Sequence, residues 1–171
     1  RLLLLFFYLV FFSTNLLAHV KHYNKIKFLK YDLYFNNELI GYHTFNFKKN
    51  DDLIQIIGKG TFKVSKMGID LINYVTSSES IYRGNQLIKF TSKTNQNDKK
   101  KYVNVILLNN HLNIDGSSFK GKTKKETLLS SLWNHEIVTK KEQISAISGR
   151  INKQKVKFLG KKKIDIVGKS F

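Results

Sequence analysis

Apolar and polar residues alternate one by one through most of the chain from position 25 onward. The clearest example is 29-LKYDLYF-35, where the apolar and aromatic residues at odd positions share one face and Lys30 and Asp32 share the other. Successive side chains of a β-strand point to opposite faces, so this period of two predicts a strand. The same pattern predicts further strands over 40–49, 53–66, 69–82, 86–94, 101–108 and 111–115.

Short clusters rich in Asn, Asp and Gly separate these segments, at 36–37, 50–52, 67–68, 83–85, 95–100 and 109–110. Such residues favour tight turns because they adopt a positive φ or hydrogen-bond the nearby backbone. The spacers are too short for helical crossovers, so consecutive strands are expected to pair antiparallel. The pattern therefore predicts an all-β antiparallel meander, forming a curved open sheet or half-barrel with one apolar face and one lysine-rich face.

The alternation is interrupted after position 115. The stretch 116–125, GSSFKGKTKK, shows no period and predicts a flexible loop, while 155–169 predicts a return to strand. Between them, 128-LLSSLWNHEIV-138 places Leu128, Leu129, Leu132 and Trp133 at the spacing of a short amphipathic helix. We expect this helix to cap the apolar face of the sheet, with Ser131 and Asn134 hydrogen-bonding the backbone at its ends.

The first 18 residues predict an export signal. Arg1 precedes an unbroken apolar run from Leu2 to Phe12, which is followed by a short polar patch and Ala18. This layout is that of a secretory signal helix, whose apolar region is shorter than a spanning helix. We expect residues 1–18 to be the signal peptide and 19–171 a single β domain that continues past Phe171. The alternative is a retained anchor, and the expected location is a bacterial periplasm.

Charge and cysteine content narrow the function classes. The formal charge is +18, and cysteine is absent, which excludes disulfides, thiolate metal sites and cysteine nucleophiles. Only Arg1, Arg83 and Arg150 of the 30 cationic residues are Arg. Nucleic-acid binding favours Arg interleaved with exposed aromatics, so no nucleic acid is expected as a partner. An anionic membrane surface suits a lysine-rich exterior better.

The order of motifs resembles an uncharacterised family of small exported bacterial proteins, a domain of unknown function. The resemblance spans about residues 30–169, through 36-NNELIGYHTF-45, 59–87, 130-SSLWN-134 and 148–163. Its most specific parts are Ile40-Gly41-Tyr42-His43 and Ser130-Ser131-x-Trp133-Asn134. The resemblance implies an export signal, an all-β fold and further strands past Phe171, but no known activity. Relatives often carry Pro where this chain has His135.

The candidate site residues are of the binding type. His43 lies on the predicted strand face of Gly41 and Phe45, as a core or cavity residue, and Gly41 indicates a bulge or a close backbone approach. We expect His43, Tyr42, Phe45, Trp133 and Asn134 to contact a ligand. Ser130 or Ser131 with His135 and Glu136 supplies the residue types of a catalytic triad, but neighbours on one turn seldom meet its geometry. We therefore predict no catalytic residue, no metal site and no cofactor.

The leading functional hypothesis is a periplasmic binding or carrier protein for an apolar or amphipathic, lipid-like ligand, with no chemistry. An open apolar cleft beneath the cap would favour it. The alternative is a structural or protein-interaction module of the cell envelope whose interior is filled. Nucleic-acid binding is the third and least favoured reading.

Overall fold

The computed structural model describes residues 25–161, Lys163, and the backbone of 165–166 and 169–170. The predicted signal helix over 1–18 and the start of the mature chain near His19 lie outside the described residues. The described fold is all-β, as predicted, and its main sheet has eight strands in the order β1 to β8. No helix in the described part is long and apolar enough to cross a membrane.

The eight strands follow one another as an antiparallel meander. Their bounds are β1 Phe28–Phe35, β2 Glu38–Asn50, β3 Leu53–Lys66, β4 Ile69–Arg83, β5 Gln86–Gln96, β6 Lys99–Leu108, β7 His111–Gly116 and β8 Phe119–Lys124. Each strand pairs with its neighbours in sequence, and the described strand order leaves β1 and β8 as the edges of an open sheet. The first seven strands therefore confirm the prediction from the period of two.

The turns are also those expected from composition. At Asn36-Asn37, Asn97-Asp98 and Asn109-Asn110, both residues have a positive φ, and the flanking residues pair directly across a two-residue loop. This geometry matches the right-handed twist of the strands, and Asn and Asp adopt it at low cost. Met67-Gly68 has the same backbone, with a φ of 52° at Met67. The turn chemistry therefore fixes the register of these hairpins.

Two predictions for the second half of the chain are wrong. The stretch 116–125 was expected to be a loop, yet Phe119–Lys124 forms β8 and pairs with β7. Its Lys residues alternate with Phe119, Gly121 and Thr123, which suits an edge strand with one solvated row. The expected strand over 155–169 is absent from 155–161, and of the residues described beyond that point, Asp165–Ile166 and Lys169–Ser170 pair as short strands.

The predicted capping helix over 128–138 is also wrong. Leu128–Leu129 forms strand β9, which pairs in parallel with β10, Glu142–Ile144, and β10 pairs with β11, Ile151–Lys153. A 3₁₀ helix follows over His135–Thr139. Leu132 is 54% exposed and does not join the buried core, because the backbone of 128–130 is extended along β10. The helical spacing of the four apolar residues was therefore coincidental.

Residues 126–154, which we call the covering segment, still cover one face of the main sheet. Leu129, Trp133 and Ile144 from this segment join the same buried cluster as Phe45, Ile56, Tyr82, Phe90, Val103, Val105, Leu112 and Ile114 from the sheet. We call the face that carries these residues the inner face. The cap expected from the sequence is thus present as a small second sheet and its loops, packed on the apolar face.

Candidate functional site

The middle of the inner face is built by alternate residues of β4. Tyr74, Thr76, Ser78, Ser80 and Tyr82 form a row with an aromatic ring at each end and hydroxyl groups between them. Thr76 bonds Thr94 of β5 through their hydroxyl oxygens at 2.8 Å. Phe62 of β3 stacks on Tyr74 with a ring-centre distance of 4.7 Å. This part of the inner face is therefore more polar than the cluster around Val103 and Leu112.

Two glycines of β3 leave space beside this row. Gly58 pairs with Ser78, and a Cβ at Gly58 would lie 2.6 Å from the Ser78 Oγ. Gly60 pairs with both His43 and Thr76, and a Cβ there would lie 3.2 Å from the His43 Cγ. Side chains from β2 and β4 therefore lean over β3 where a larger residue would block them. The two glycines therefore let side chains of β2 and β4 that line a cavity pack closely over β3.

The cavity lies between the inner face and the covering segment and has a volume of about 340 Å³. Among the described residues, none that lines it carries a formal charge apart from the titratable ring of His43. Its walls come from the sheet, through His43, Phe45, Ile56, Phe90 and the β4 row, and from the covering segment, through Leu129, Ser130, Ser131, Leu132, Trp133, Ile137, Gln143, Ala146 and Ile147.

His43 carries a buried polar atom into this apolar setting. Its ring stacks on Phe45 at 4.4 Å with an interplanar angle of 24°. Its Nε2 atom is shielded from solvent and has no hydrogen-bond partner among the described residues. Burial lowers the pKa of His43, so the neutral imidazole is the favoured form at neutral pH. An unpaired buried polar atom costs free energy, so nearly all buried polar atoms in proteins have a partner.

Gln143 supplies a second unpaired atom on the opposite wall. Gln154 donates from its Nε2 to the carbonyl oxygens of Ile137 and Lys140, so its own Oε1 accepts from the Gln143 Nε2 at 3.0 Å. This series of hydrogen bonds fixes the orientation of the Gln143 amide. The Gln143 Oε1 is buried and has no partner within the described part of the chain. It is an acceptor, so only a hydrogen-bond donor can satisfy it.

Trp133 anchors the covering segment over the cavity. The indole is only 4% exposed, and it meets Phe47 and Tyr82 edge-on, each with a ring-centre distance of 5.7 Å. Burial raises the pKa of Tyr82, and the charge of Glu136 raises it further, so this phenol stays neutral. Edge-to-face contacts of this kind favour one fixed ring arrangement.

Polar bonds hold the rest of the covering segment to the sheet. The Tyr31 hydroxyl donates to the Leu132 carbonyl at 3.1 Å, and the Ser92 hydroxyl donates to the Ala146 carbonyl at 2.6 Å. Ser130 closes the segment on itself, because its Oγ accepts from the Ala146 N–H at 3.0 Å. At the far end, a Cβ on Gly116 would lie 2.6 Å from the Ser148 carbonyl oxygen, so the two backbones touch there. The cover is thus fixed on several sides.

A family model for a domain of unknown function, DUF6134, matches residues 31–171, which include the end of β1 from residue 31, all of β2 to β8, the covering segment and every residue lining the cavity. The chain belongs to the DUF6134 family. Neither a curated protein nor a solved structure matches it. The DUF6134 match confirms the resemblance to a domain of unknown function.

Three of the five predicted ligand residues line the cavity of this DUF6134 chain, namely His43, Phe45 and Trp133. Tyr42 does not, because adjacent residues of a strand point to opposite faces, and its ring lies 44% exposed near the Lys30 Nζ. Asn134 is buried outside the cavity lining, where its Oδ1 accepts from the Glu136 N–H. The Ser131 Oγ accepts from the Asn134 N–H, so the expected local hydrogen bonds are confirmed.

The sequence also predicted a close backbone approach at Gly41, which is confirmed. A Cβ on Gly41 would lie 2.1 Å from the Thr61 carbonyl oxygen. Among the cavity residues that sequence reasoning missed, the β4 row is visible in 74-YVTSSESIY-82, whose even positions carry a Tyr at each end and three hydroxyl side chains between them. Gln143 has no such signal, since its role depends on Gln154 and on the folding of the covering segment over the sheet. Within the described residues, no group of three His, Asp or Glu side chains could hold a metal ion.

The lowered pKa of His43 predicts a pH-dependent stability. Between the folded pKa and the unfolded value of 6.5, the unfolded chain binds more protons, so folded stability falls as the pH falls through this window. Replacing His43 with Phe keeps the stacking on Phe45 and removes the contribution of His43 protonation to the pH dependence of stability. We expect urea unfolding of the wild type to show a steeper loss of stability between about pH 7 and pH 5 than His43→Phe. Parallel pH profiles would contradict the buried, neutral His43.

Proposed function

We propose that this protein binds an uncharged, amphipathic, lipid-like molecule in the cavity under the covering segment and carries it without chemical change. The observation that carries the proposal is the pairing of an apolar cavity with two buried, unpaired polar atoms, the His43 Nε2 and the Gln143 Oε1. Both atoms belong to residues that line the cavity, and a filled structural core gains nothing from leaving them unpaired. A ligand with an apolar body and a polar end would use both features.

The cavity size supports one small ligand or one chain of a larger one. Ordinary ligand sites measure about 300–1,000 Å³, and this cavity, at about 340 Å³, lies near the lower limit. Phe45, Ile56, Phe90, Leu129 and Trp133 offer apolar contact to an acyl chain. The volume favours a single chain over two chains side by side.

The residues that line the cavity limit which polar groups the ligand can carry. The described lining residues include no Lys or Arg that could pair with a buried carboxylate or phosphate, and burying an unpaired charge is costly. The Gln143 Oε1 requires a donor, whereas the His43 Nε2 pairs with a donor or an acceptor according to its tautomer. A hydroxyl or amide group satisfies these conditions. We therefore propose a fatty alcohol, a fatty amide or a monoacylglycerol-like molecule over a fatty-acid anion.

The periplasm of a bacterium is the proposed place of action. The apolar run from Leu2 to Phe12 supports export, and we propose that it is a cleaved signal peptide. The alternative is that it is retained as a membrane anchor. A carrier for an envelope lipid needs a soluble domain that shields the ligand from water, and the covering segment would provide that shield.

The rival proposal is a structural or protein-interaction module of the envelope. It draws support from the inner face of β6 and β7, where Val103, Val105, Leu112 and Ile114 are fully packed and leave no space for a ligand. The rival predicts that the exported protein contains no small molecule and gains no stability from any lipid. The two unpaired atoms, the His43 Nε2 and the Gln143 Oε1, favour the carrier.

Ligand binding through the His43 Nε2 can be tested by titration. Trp133 is the only tryptophan of the chain and lines the cavity, so its fluorescence reports on binding. We expect glyceryl monolaurate or dodecanol to bind with one site, and laurate more weakly. His43→Phe should weaken binding by about three- to tenfold, the loss of one hydrogen bond. Tyr42→Phe, on the opposite face, is the control and should bind as the wild type does. Equal affinity for both variants would show that His43 has no such role.

A further inference from the structure

Large apolar side chains are exposed at the tips of two hairpins. At the β1–β2 turn these are Tyr34 at 64%, Phe35 at 53% and Leu39 at 61%, and at the β3–β4 turn they are Met67 at 92%, Ile69 at 66% and Leu71 at 49%. The β6–β7 turn is also flanked by exposed apolar residues, Ile106 at 44% and Leu108 at 51%, but these are less exposed than most of those in the first two groups. We call the Tyr34–Leu39 and Lys66–Leu71 stretches the two tips.

Both tips lie at the same end of the main sheet. In a meander, alternate turns fall at the same end, so the β1–β2 and β3–β4 turns are neighbours while the β2–β3 turn lies at the other end. The pairing between β2 and β3 stops at Gly41 and Phe62. Beyond this point the two hairpins no longer pair with each other; the first runs from Leu33–Gly41 to Phe35–Glu38 and the second from Lys63–Asn73 to Lys66–Ile69. On its other side the β3–β4 hairpin is held by Asn97 of the β5–β6 turn, which donates to the Leu71 carbonyl and accepts from the Asn73 N–H. The two tips therefore separate as two projecting ribbons.

The gap between the ribbons leads toward the ligand cavity. A second hollow of about 380 Å³ is lined by Leu33 of β1, Phe62 of β3 and Tyr74 of β4, close to the point where β2 and β3 part. It shares His43, Tyr74, Leu132 and Ile147 with the cavity described above. The second hollow therefore lies next to the cavity on the side of the exposed apolar tips, and we infer that it is the mouth of the site.

We infer that the two tips dock on an anionic lipid bilayer and place the mouth of the cavity against it. The inference rests on the proposed function, since a lipid carrier must reach the membrane to exchange its ligand. Exposed Tyr, Phe, Leu, Ile and Met residues partition into the interface of a bilayer. The formal charge of +18 complements anionic head groups. Beside Met67, Lys63 is paired with Asp70 at 2.8 Å, so Lys66, which is exposed and has no ion pair among the described residues, is the cation that this tip offers to the lipid.

The docking role of the two tips can be tested by placing a negatively charged residue in each of them. Leu39→Asp combined with Met67→Asp removes one apolar side chain from each ribbon, and Asp suits the positive φ of 52° at Met67. The matched control is Ile106→Asp with Leu108→Asp, which are 44% and 51% exposed near the β6–β7 turn at the opposite end of the sheet. Both variants change the net charge equally, so a difference between them reports on position.

Co-sedimentation with vesicles gives the readout. Protein is recovered after export from a bacterial periplasm, and the same N-terminus is verified for each variant by mass spectrometry. We expect the wild type and the control to bind phosphatidylglycerol-containing vesicles, and the tip variant to bind at least about tenfold more weakly. Binding by the wild type to purely zwitterionic vesicles should be weaker, because attraction to anionic lipid is lost.

The outcomes separate the docking surface from the proposed function. Equal vesicle binding by the tip variant and the control, or no binding by the wild type, would overturn the docking inference. So would a wild-type dimer in solution that only the tip variant dissociates, because a second copy would then occupy the tips. Trp133 titration with glyceryl monolaurate is run on the same samples. Tip-dependent vesicle binding without ligand binding would leave the docking surface in place and remove the carrier.

Discussion

Replacing Trp133 with Ala is expected to lower the free energy of unfolding by about 3–5 kcal/mol, the usual cost of removing a buried aromatic side chain. The indole is 4% exposed and is held edge-on by Phe47 of the sheet and Tyr82 of β4. Its removal leaves a hole between the covering segment and the inner face, which the surrounding strands cannot close. The covering segment should detach before the main sheet unfolds.

Urea unfolding followed by circular dichroism measures this loss without relying on tryptophan fluorescence. The control is Leu132→Ala, the adjacent residue, whose side chain is 54% exposed and should change stability by no more than about 0.5 kcal/mol. If Trp133→Ala lowered the free energy of unfolding as little as Leu132→Ala, the covering segment would not depend on its tryptophan anchor. The packing described above would then be wrong.

The largest expected effect on binding comes from filling the cavity at Ser78. This residue lies in the β4 row that lines the cavity, beside the space left by Gly58. Ser78→Leu places a branched apolar side chain in the cavity. It should therefore weaken binding of glyceryl monolaurate by about a hundredfold while retaining the fold. Trp133 fluorescence and isothermal calorimetry both measure the change.

The matched control uses the neighbouring residue of the same strand. Ser77 points to the opposite, exposed face, so Ser77→Leu makes the same substitution without entering the cavity. It should bind the ligand with wild-type affinity. Equal loss in both variants would indicate a general disturbance of β4, and equal affinity in both would place the ligand outside this cavity.

Much of the main sheet could be predicted because its determinants are local. The alternation in 29-LKYDLYF-35 sets which side chains face inward, and Asn36-Asn37 sets the turn that pairs β1 with β2. Both signals lie within a few residues of the structure that they determine. His43 and Phe45 could be assigned to the inner face by the same rule. Applied strictly, that rule also places Tyr42 on the outer face.

The covering segment could not be predicted because its partners are distant in sequence. Leu128 and Leu129 have apolar spacing that suits a helix, but the backbone is extended because Glu142–Ile144 offers a strand to pair with. The unpaired Gln143 Oε1 depends on Gln154, which in turn bonds the carbonyl oxygens of Ile137 and Lys140. No local pattern reports such a chain of contacts. The part of the candidate site that we propose selects the ligand is therefore the part least visible in the sequence.

The most direct test of the central claim is native mass spectrometry of the protein exported to a bacterial periplasm and purified without detergent. The account predicts one neutral, donor-bearing lipid per chain, present in the wild type and in Ser77→Leu and absent from Ser78→Leu. A wild-type protein that carries no small molecule, even after incubation with total envelope lipids, would contradict the carrier and favour the closed structural module.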